Sequence, residues 1–114
     1  MSKHHDAVLF GDILDAARRI SAKLEGVNRH AFDGDDNLQL AITFLIQTIG
    51  EAASRISAVG RAAHADIEWA KMTGMRNRIV HDYTNVNFEI VWSVATEEIP
   101  ILIRALEAFI PDSP

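Results

Sequence analysis

The sequence predicts an all-α protein, an up-and-down bundle of four to five helices with a kink or break near Pro100. Three observations predict it. Apolar residues recur at intervals of three and four over two long stretches, the period of a helix that buries one stripe. Turn-forming residues gather in only three places, at 26–36, 60–66 and 83–87. No useful length of chain alternates apolar and polar residues at the period of two that a half-buried strand needs. Short connections make consecutive helices mostly antiparallel neighbours, and 114 residues suit one domain, 1–114.

Phe10, Ile13, Ala17, Ile20, Leu24 and Val27 form the first stripe, with Asp12, Asp15, Arg19 and Lys23 on the opposite, solvated face. Leu38, Ile42, Leu45, Ile49, Ala52 and Ile56 form the second. Asp35 or Asp36 supplies its N-cap, accepting from an otherwise orphan N–H of the first turn. Ala41, Phe44 and Ile46 lie off the stripe. This helix is therefore apolar round much of its circumference and should be central or have a second partner. A third helix is expected from about Ile67 to about His81, capped by Asp66, with Gly74 inside it at a cost of about 1 kcal/mol relative to Ala. The last helical stretch starts after Asn87, a good N-cap, and places Glu89 in its first turn, where the helix dipole favours it. Pro100 has no N–H to donate and in a regular α-helix clashes with the carbonyl of Thr96, hence the expected kink or break.

Composition narrows the function classes. Hydrophobic residues make up 48%, too many for a disordered chain. Cysteine is absent, which excludes disulfides and thiolate zinc sites. The net charge of −5 argues against an indiscriminate nucleic-acid binder, but it is unevenly shared. Residues 1–50 carry −2, residues 51–83 carry +1 and residues 84–114 carry −4. The most apolar segment, Leu38 to Ile49, is interrupted by Gln39 and Gln47 and is too short to span a bilayer. The first residues lead into no signal-type apolar core, so a cytoplasmic protein without membrane contact is expected. His4, His5, His30 and His64 show no Glu-x-x-His or His-x-x-x-His spacing, so neither a metal site nor a cofactor is expected.

The one segment that is not net acidic ends in Met75-Arg76-Asn77-Arg78-Ile79-Val80-His81-Asp82-Tyr83. It gathers a guanidinium, an amide, an imidazole and a phenol within eight residues. Asn77 and His81 are four apart and share a helix face, so Asn77 could hold one ring nitrogen of His81 and fix its tautomer. Arg76 lies about 140° from His81 at 100° per residue. Either Arg76 reaches around, or the helix unwinds near His81, or a second copy completes the site. Tyr83 makes most sense just beyond the helix end. Arginine pairs bidentately with phosphate, and histidine exchanges protons near neutrality. Together they suit phosphoryl transfer without a metal: in RNA the 2′-OH is an internal nucleophile. It needs a base for its proton, an acid for the 5′ leaving oxygen and a cation for the crowded phosphate. The plain alternative is a histidine that stabilises a helix C-terminus through the dipole, flanked by surface residues.

This segment resembles the Arg-x(4–6)-His motif of HEPN domains, in the Arg-x4-His-x-Tyr form of HepT-like toxins. The likeness covers nearly the whole chain. Ile49-Gly50-Glu51-Ala52-Ala53 resembles the family's second-helix signature, Trp69 with Gly74 to Tyr83 its centre, and Ile90-Val91-Trp92 with Ile99-Pro100 its final helix. The resemblance implies a HEPN-type helical bundle. It also implies a metal-independent endoribonuclease, the toxin of a prokaryotic type VII toxin–antitoxin pair. Arg76 and His81 would be catalytic and Asn77 supporting. The resemblance further implies a homodimer with two motif copies facing one cleft. A minimal nucleotidyltransferase antitoxin would silence it by transferring AMP to Tyr83. The alternative is a non-catalytic HEPN module that docks on, or presents substrate to, such a nucleotidyltransferase.

Other residues have plainer readings beside the sharper ones. Trp69 and Trp92 are more simply core or interface anchors than platforms for stacked bases. Glu51 could support the motif or be a solvated carboxylate. Arg78 could contact RNA or be a surface charge. The acidic stretch from Glu89 to Asp112 is most simply a solvated face, although a basic antitoxin surface could dock on it.

Overall fold

The computed structural model describes residues 3–80 and 85–111. Helix α1, Lys3–Leu24, carries the first stripe, with Phe10, Ile13, Ala17 and Ile20 buried and the predicted solvated face exposed. It ends at Gly26, whose φ of 74° is a conformation that glycine adopts at no steric cost. Helix α3, Asp36–Ser54, is capped by Asp35, which accepts from the Leu38 N–H at 2.9 Å. It is the central element and packs on α1 and on four of the elements introduced below. Ile46, off the predicted stripe, is fully buried, while Phe44 stays 66% exposed.

Two short helices fall where only turns were expected. Helix α2, Arg29–Asp33, is capped by Asn28 and buries Phe32; helix α4, Ala58–Ala63, is capped by Ser57. Each is about one and a half turns, too short to display a period. Ser57 does more than cap. Its N–H and hydroxyl both donate to Asp6, at 3.0 and 2.5 Å, while its Oγ accepts from Gly60. Asp6 is thereby a buried carboxylate tying α1 to α4, and the two hydrogen bonds from Ser57 hold its pKa below the ordinary value.

The expected third helix is shorter and is broken. It begins at Trp69, with Glu68 at the cap position and no side-chain cap, so Asp66 is not the N-cap. Buried Ile67 and the indole N–H of Trp69, which donates to the His64 carbonyl at 3.0 Å, hold the preceding residues in a turn. The helix then divides at Gly74 into α5, Trp69–Thr73, and α6, Met75–Ile79, and Val80 is already extended. Val80 pairs with Val86 in an antiparallel bridge, and the Asn87 N–H donates to the Ile79 carbonyl at 2.7 Å.

The final stretch bears out its expected start. Asn87 accepts from the N–H groups of Glu89 and Ile90 and caps α7, Phe88–Ser93. The expected distortion ahead of Pro100 takes the form of a π-turn, Val94–Glu98, in which the Ile99 N–H reaches back five residues to Val94. Helix α8, Ile99–Glu107, then starts with Pro100 in its first turn, where a missing N–H costs nothing. Among the described residues no helix is long and apolar enough to cross a membrane.

Together these form the predicted all-α bundle, with arms α1, α3, α5–α6 and α7–π–α8. Its extents are 42 × 33 × 20 Å. The short axis equals about two helix diameters, so a site must lie in a surface groove rather than a deep interior cleft. Trp69 packs edge-on against Phe10, and Trp92 lies tilted on Phe32. Both tryptophans are spent as core anchors.

Candidate active site

The motif residues that the structure describes sit on α6. This helix has 5 residues, and Met75 and Ile79, one turn apart, are buried under it. That seating leaves Arg76 and Asn77 exposed. The approach of α3 decides what Arg76 faces. A Cβ on Gly50 would stand 3.0 Å from the Met72 carbonyl oxygen and 3.2 Å from the Met75 Cβ. Only a glycine lets the backbone of α3 come this close to α5 and α6. The close approach places Glu51, the next residue, on the same groove as Arg76.

That groove has a volume of about 830 Å³. Leu9, Ala16, Leu45 and Ala52, all buried, line its base. Its rim carries Arg19 from α1, Glu51 from α3, Arg55 just past the end of α3, and Arg76 from α6, with Phe44 at one side. Glu51 and Arg55 pair loosely at 3.6 Å and are both largely exposed. Among the described residues no ion pair or hydrogen bond engages the Arg76 guanidinium. An unpaired guanidinium on a groove rim can donate to two oxygens of a phosphate without first breaking another contact.

Arg78 is different. Its two terminal nitrogens donate to the two carboxylate oxygens of Glu98 in the π-turn, at 2.8 and 2.6 Å. The fork holds the Glu98 carboxyl below its ordinary pKa and raises that of Arg78. Of the two readings open for Arg78, the structure therefore favours neither RNA contact nor a bare surface charge: the side chain is already spent on a protein partner.

The predicted contact between Asn77 and His81, and the position of Tyr83, lie outside the described residues. The 140° between Arg76 and His81 assumed a continuous helix. Since α6 ends at Ile79 and Val80 is extended, the helix unwinds before His81, which is one of the three solutions the sequence left open. The groove and the Arg78–Glu98 fork were not foreseen. The glycine before Glu51 was the one signal that could have indicated the groove.

Comparison with known proteins gives a consistent result. The family model described as ribonuclease HepT-like matches residues 13–109. A candidate ribonuclease HepT of Thermococcus cleftensis is 30% identical over 80% of this chain and 83% of its own. A candidate RNase of Caldanaerobacter subterraneus is 28% identical, covering 83% and 85%. A candidate RNase of Methanocaldococcus jannaschii is 24% identical over 94% and 98%. No solved structure matches.

Proposed function

Since the chain belongs to the ribonuclease HepT-like family, we propose that it is a metal-independent endoribonuclease and the toxin of a type VII toxin–antitoxin pair. The observation that carries this reading is Arg76. It opens an Arg-x4-His-x-Tyr run and stands exposed on the rim of the groove between α1, α3 and α6. In the proposed reaction His81 takes the proton of a ribose 2′-OH, and the 2′ oxygen attacks the adjacent phosphorus. The P–O5′ bond breaks, leaving a 2′,3′-cyclic phosphate, and the 5′ oxygen collects a proton from a protonated imidazole. Arg76 neutralises the phosphate as its charge concentrates in the crowded intermediate, and Asn77 holds the histidine tautomer.

Two copies would face each other across one cleft, so that one His81 accepts a proton while the other donates. Phe44, at one side of the groove and 66% exposed, and Leu40, one turn before it on α3 and 52% exposed, form an exposed apolar pair suited to a second copy. A nucleotidyltransferase antitoxin would silence the site by letting the Tyr83 phenol oxygen attack the α-phosphorus of ATP, with pyrophosphate leaving. The added phosphodiester would carry negative charge and bulk into the motif and compete there with an RNA phosphate.

The test is cleavage of RNA by the purified protein and by His81→Ala, with intact mass measured after co-expression with a minimal nucleotidyltransferase. The expected loss in His81→Ala is at least a hundredfold, the lower range for a general acid–base group, with an unchanged helical spectrum. An AMP-sized mass gain that Tyr83→Phe abolishes is expected too. Cleavage unaffected by His81→Ala overturns the catalytic assignment, and an adduct that survives Tyr83→Phe overturns the switch.

A further inference from the structure

Helix α6 has little to hold it in place by itself. It is 5 residues long, follows a glycine and has no side-chain cap. A helix of this length has no stability of its own in water, so its orientation is set by what its side chains grip. Met75 and Ile79 grip the core on one face. Two apolar side chains fix the depth of a helix better than its rotation, because dispersion contacts are non-directional. The Asn87 N–H on the Ile79 carbonyl ties its last residue, and the directional side-chain contact is Arg78. Both of its terminal nitrogens engage Glu98, and one also approaches the Met75 sulfur at 3.8 Å. The two charged side chains are only 30% and 28% exposed, which sets this pair apart from the other ion pairs between described residues, all of them more exposed. A planar fork on a carboxylate fixes angle as well as distance.

Geometry connects that grip to the site. Arg76 and Arg78 are two residues apart, about 200° round the helix, so they leave α6 from nearly opposite flanks. Arg78 holds one flank against the π-turn while Arg76 projects from the other onto the groove. Glu98 is the last residue of that π-turn, and its neighbour Glu97 turns away to accept from Ser93 at 2.6 Å. The wide turn that makes room for Pro100 thus also selects which of two adjacent glutamates faces α6.

We infer that the Arg78–Glu98 fork is a positioning clamp that sets the rotation of α6, and with it the aim of Arg76 and Asn77. Arg78 does not contact the RNA. The kinetic part rests on the ribonuclease reading; the mechanical part does not. The experiment compares the full-length chain with Arg78→Gln, Glu98→Gln and the exchanged pair Arg78→Glu with Glu98→Arg. Two measurements are made well below the melting temperature.

The first is RNA cleavage. Misaiming by about 1 Å costs up to a hundredfold, so kcat is expected to fall roughly tenfold or more in each single variant, with KM nearly unchanged and partial recovery in the exchanged pair. If Arg78 touched RNA, Arg78→Gln would raise KM and Glu98→Gln, which frees the arginine, would leave kcat intact; that result overturns the inference. Unchanged kcat with only a lower Tm overturns it as well, leaving a merely structural pair. The second measurement is amide exchange at Arg78 and Val80, whose N–H groups close α6 onto Gly74 and Arg76. Exchange is expected to quicken in Glu98→Gln at these amides and not in α1. Equal exchange in wild type and Glu98→Gln overturns the clamp whether or not RNA is cut. Wild type that leaves RNA intact while its α6 loosens in Glu98→Gln sinks the ribonuclease reading and keeps the clamp. Glu98→Asp, which keeps the charge and shortens the reach, replaces any variant that fails to fold; it is expected to show the same pattern with a smaller fall in kcat.

Discussion

The α1–α3 pair and the α5–α6 segment solve the same problem, holding a helix in place, by different means. Helices α1 and α3 have 22 and 19 residues and hold each other through long buried stripes that include Ile13, Ile20, Ile42 and Ile49. Helices α5 and α6 have 5 residues each and no side-chain caps. They are held by single contacts: the Trp69 indole on His64, the Gly50 approach, the Asn87 N–H on Ile79 and the Arg78 fork on Glu98. The first arrangement spreads stability over many small contributions. The second concentrates position in a few directional ones. A scaffold substitution should therefore change how much protein is folded, and a substitution beside the motif should change what the folded protein does.

The largest expected stability effect is in the scaffold. Ile46→Ala empties part of a fully buried site at the centre of α3, and such truncations cost about 2–5 kcal/mol. Urea unfolding should show a lower midpoint with an unchanged slope, and RNA cleavage per folded molecule should match wild type. A specific activity that falls with stability would mean that the two regions are mechanically one.

This contrast also explains what could be read from the residues alone. The stripes of α1 and α3 repeat over five turns or more, so their period identified them, and Asp35 and Asn87 marked the starts of α3 and α7 by side-chain chemistry. In the third arm Met72, Met75 and Ile79 keep the 3–4 spacing straight across Gly74. Periodicity therefore predicted one helix where the backbone makes two and unwinds at Val80. Short helices α2 and α4 left only their caps, Asn28 and Ser57, as signals. On the site, the exposure of Arg76 and Asn77 followed from the burial of Met75 and Ile79. The partner of Arg78 did not, because Glu98 is twenty residues away and a π-turn, which no local pattern announces, decides its direction.

A middle-sized effect tests the seam between the two regions. Gly50→Ala would put a methyl 3.0 Å from the Met72 carbonyl, a backbone atom that cannot swing aside. Forcing an extra carbon into a well-packed contact costs about 1–3 kcal/mol, less than the Ile46 truncation at its upper end. Its signature should differ in kind. Pushing α3 off α5 and α6 widens the groove and shifts Arg76 relative to its other wall, so RNA cleavage per folded molecule should fall as well as stability. Wild-type specific activity in a destabilised Gly50→Ala would show that the groove tolerates widening, and would move the seam into the scaffold class.

The smallest effect comes from acid, and it touches both regions. Asp6 ties α1 to α4 and Glu98 ties the π-turn to α6. Each carboxyl titrates below its ordinary value in the folded protein, Asp6 through hydrogen bonds from Ser57 and Glu98 through those from Arg78. A carboxyl with a depressed folded pKa binds its proton more readily when the chain is unfolded. Its contribution to stability is therefore present above the unfolded value of about 4 and is lost as pH falls through the folded one. Stability should be flat with respect to these two groups from pH 7 to about 5 and should decline below about 4. Thermal melts over that range, repeated on Asp6→Asn and Glu98→Gln, apportion the decline, since each variant should remove its own share of the acid slope. The shares differ in consequence. Protonating Asp6 loosens the scaffold, so it should lower Tm without changing amide exchange in α6 at temperatures well below the melt. Protonating Glu98 releases the Arg78 fork, so α6 amides should exchange faster in acid before the molecule melts. An acid slope identical in wild type and both variants would place the sensitive carboxylates elsewhere and remove electrostatics from the account of how the motif helix is held.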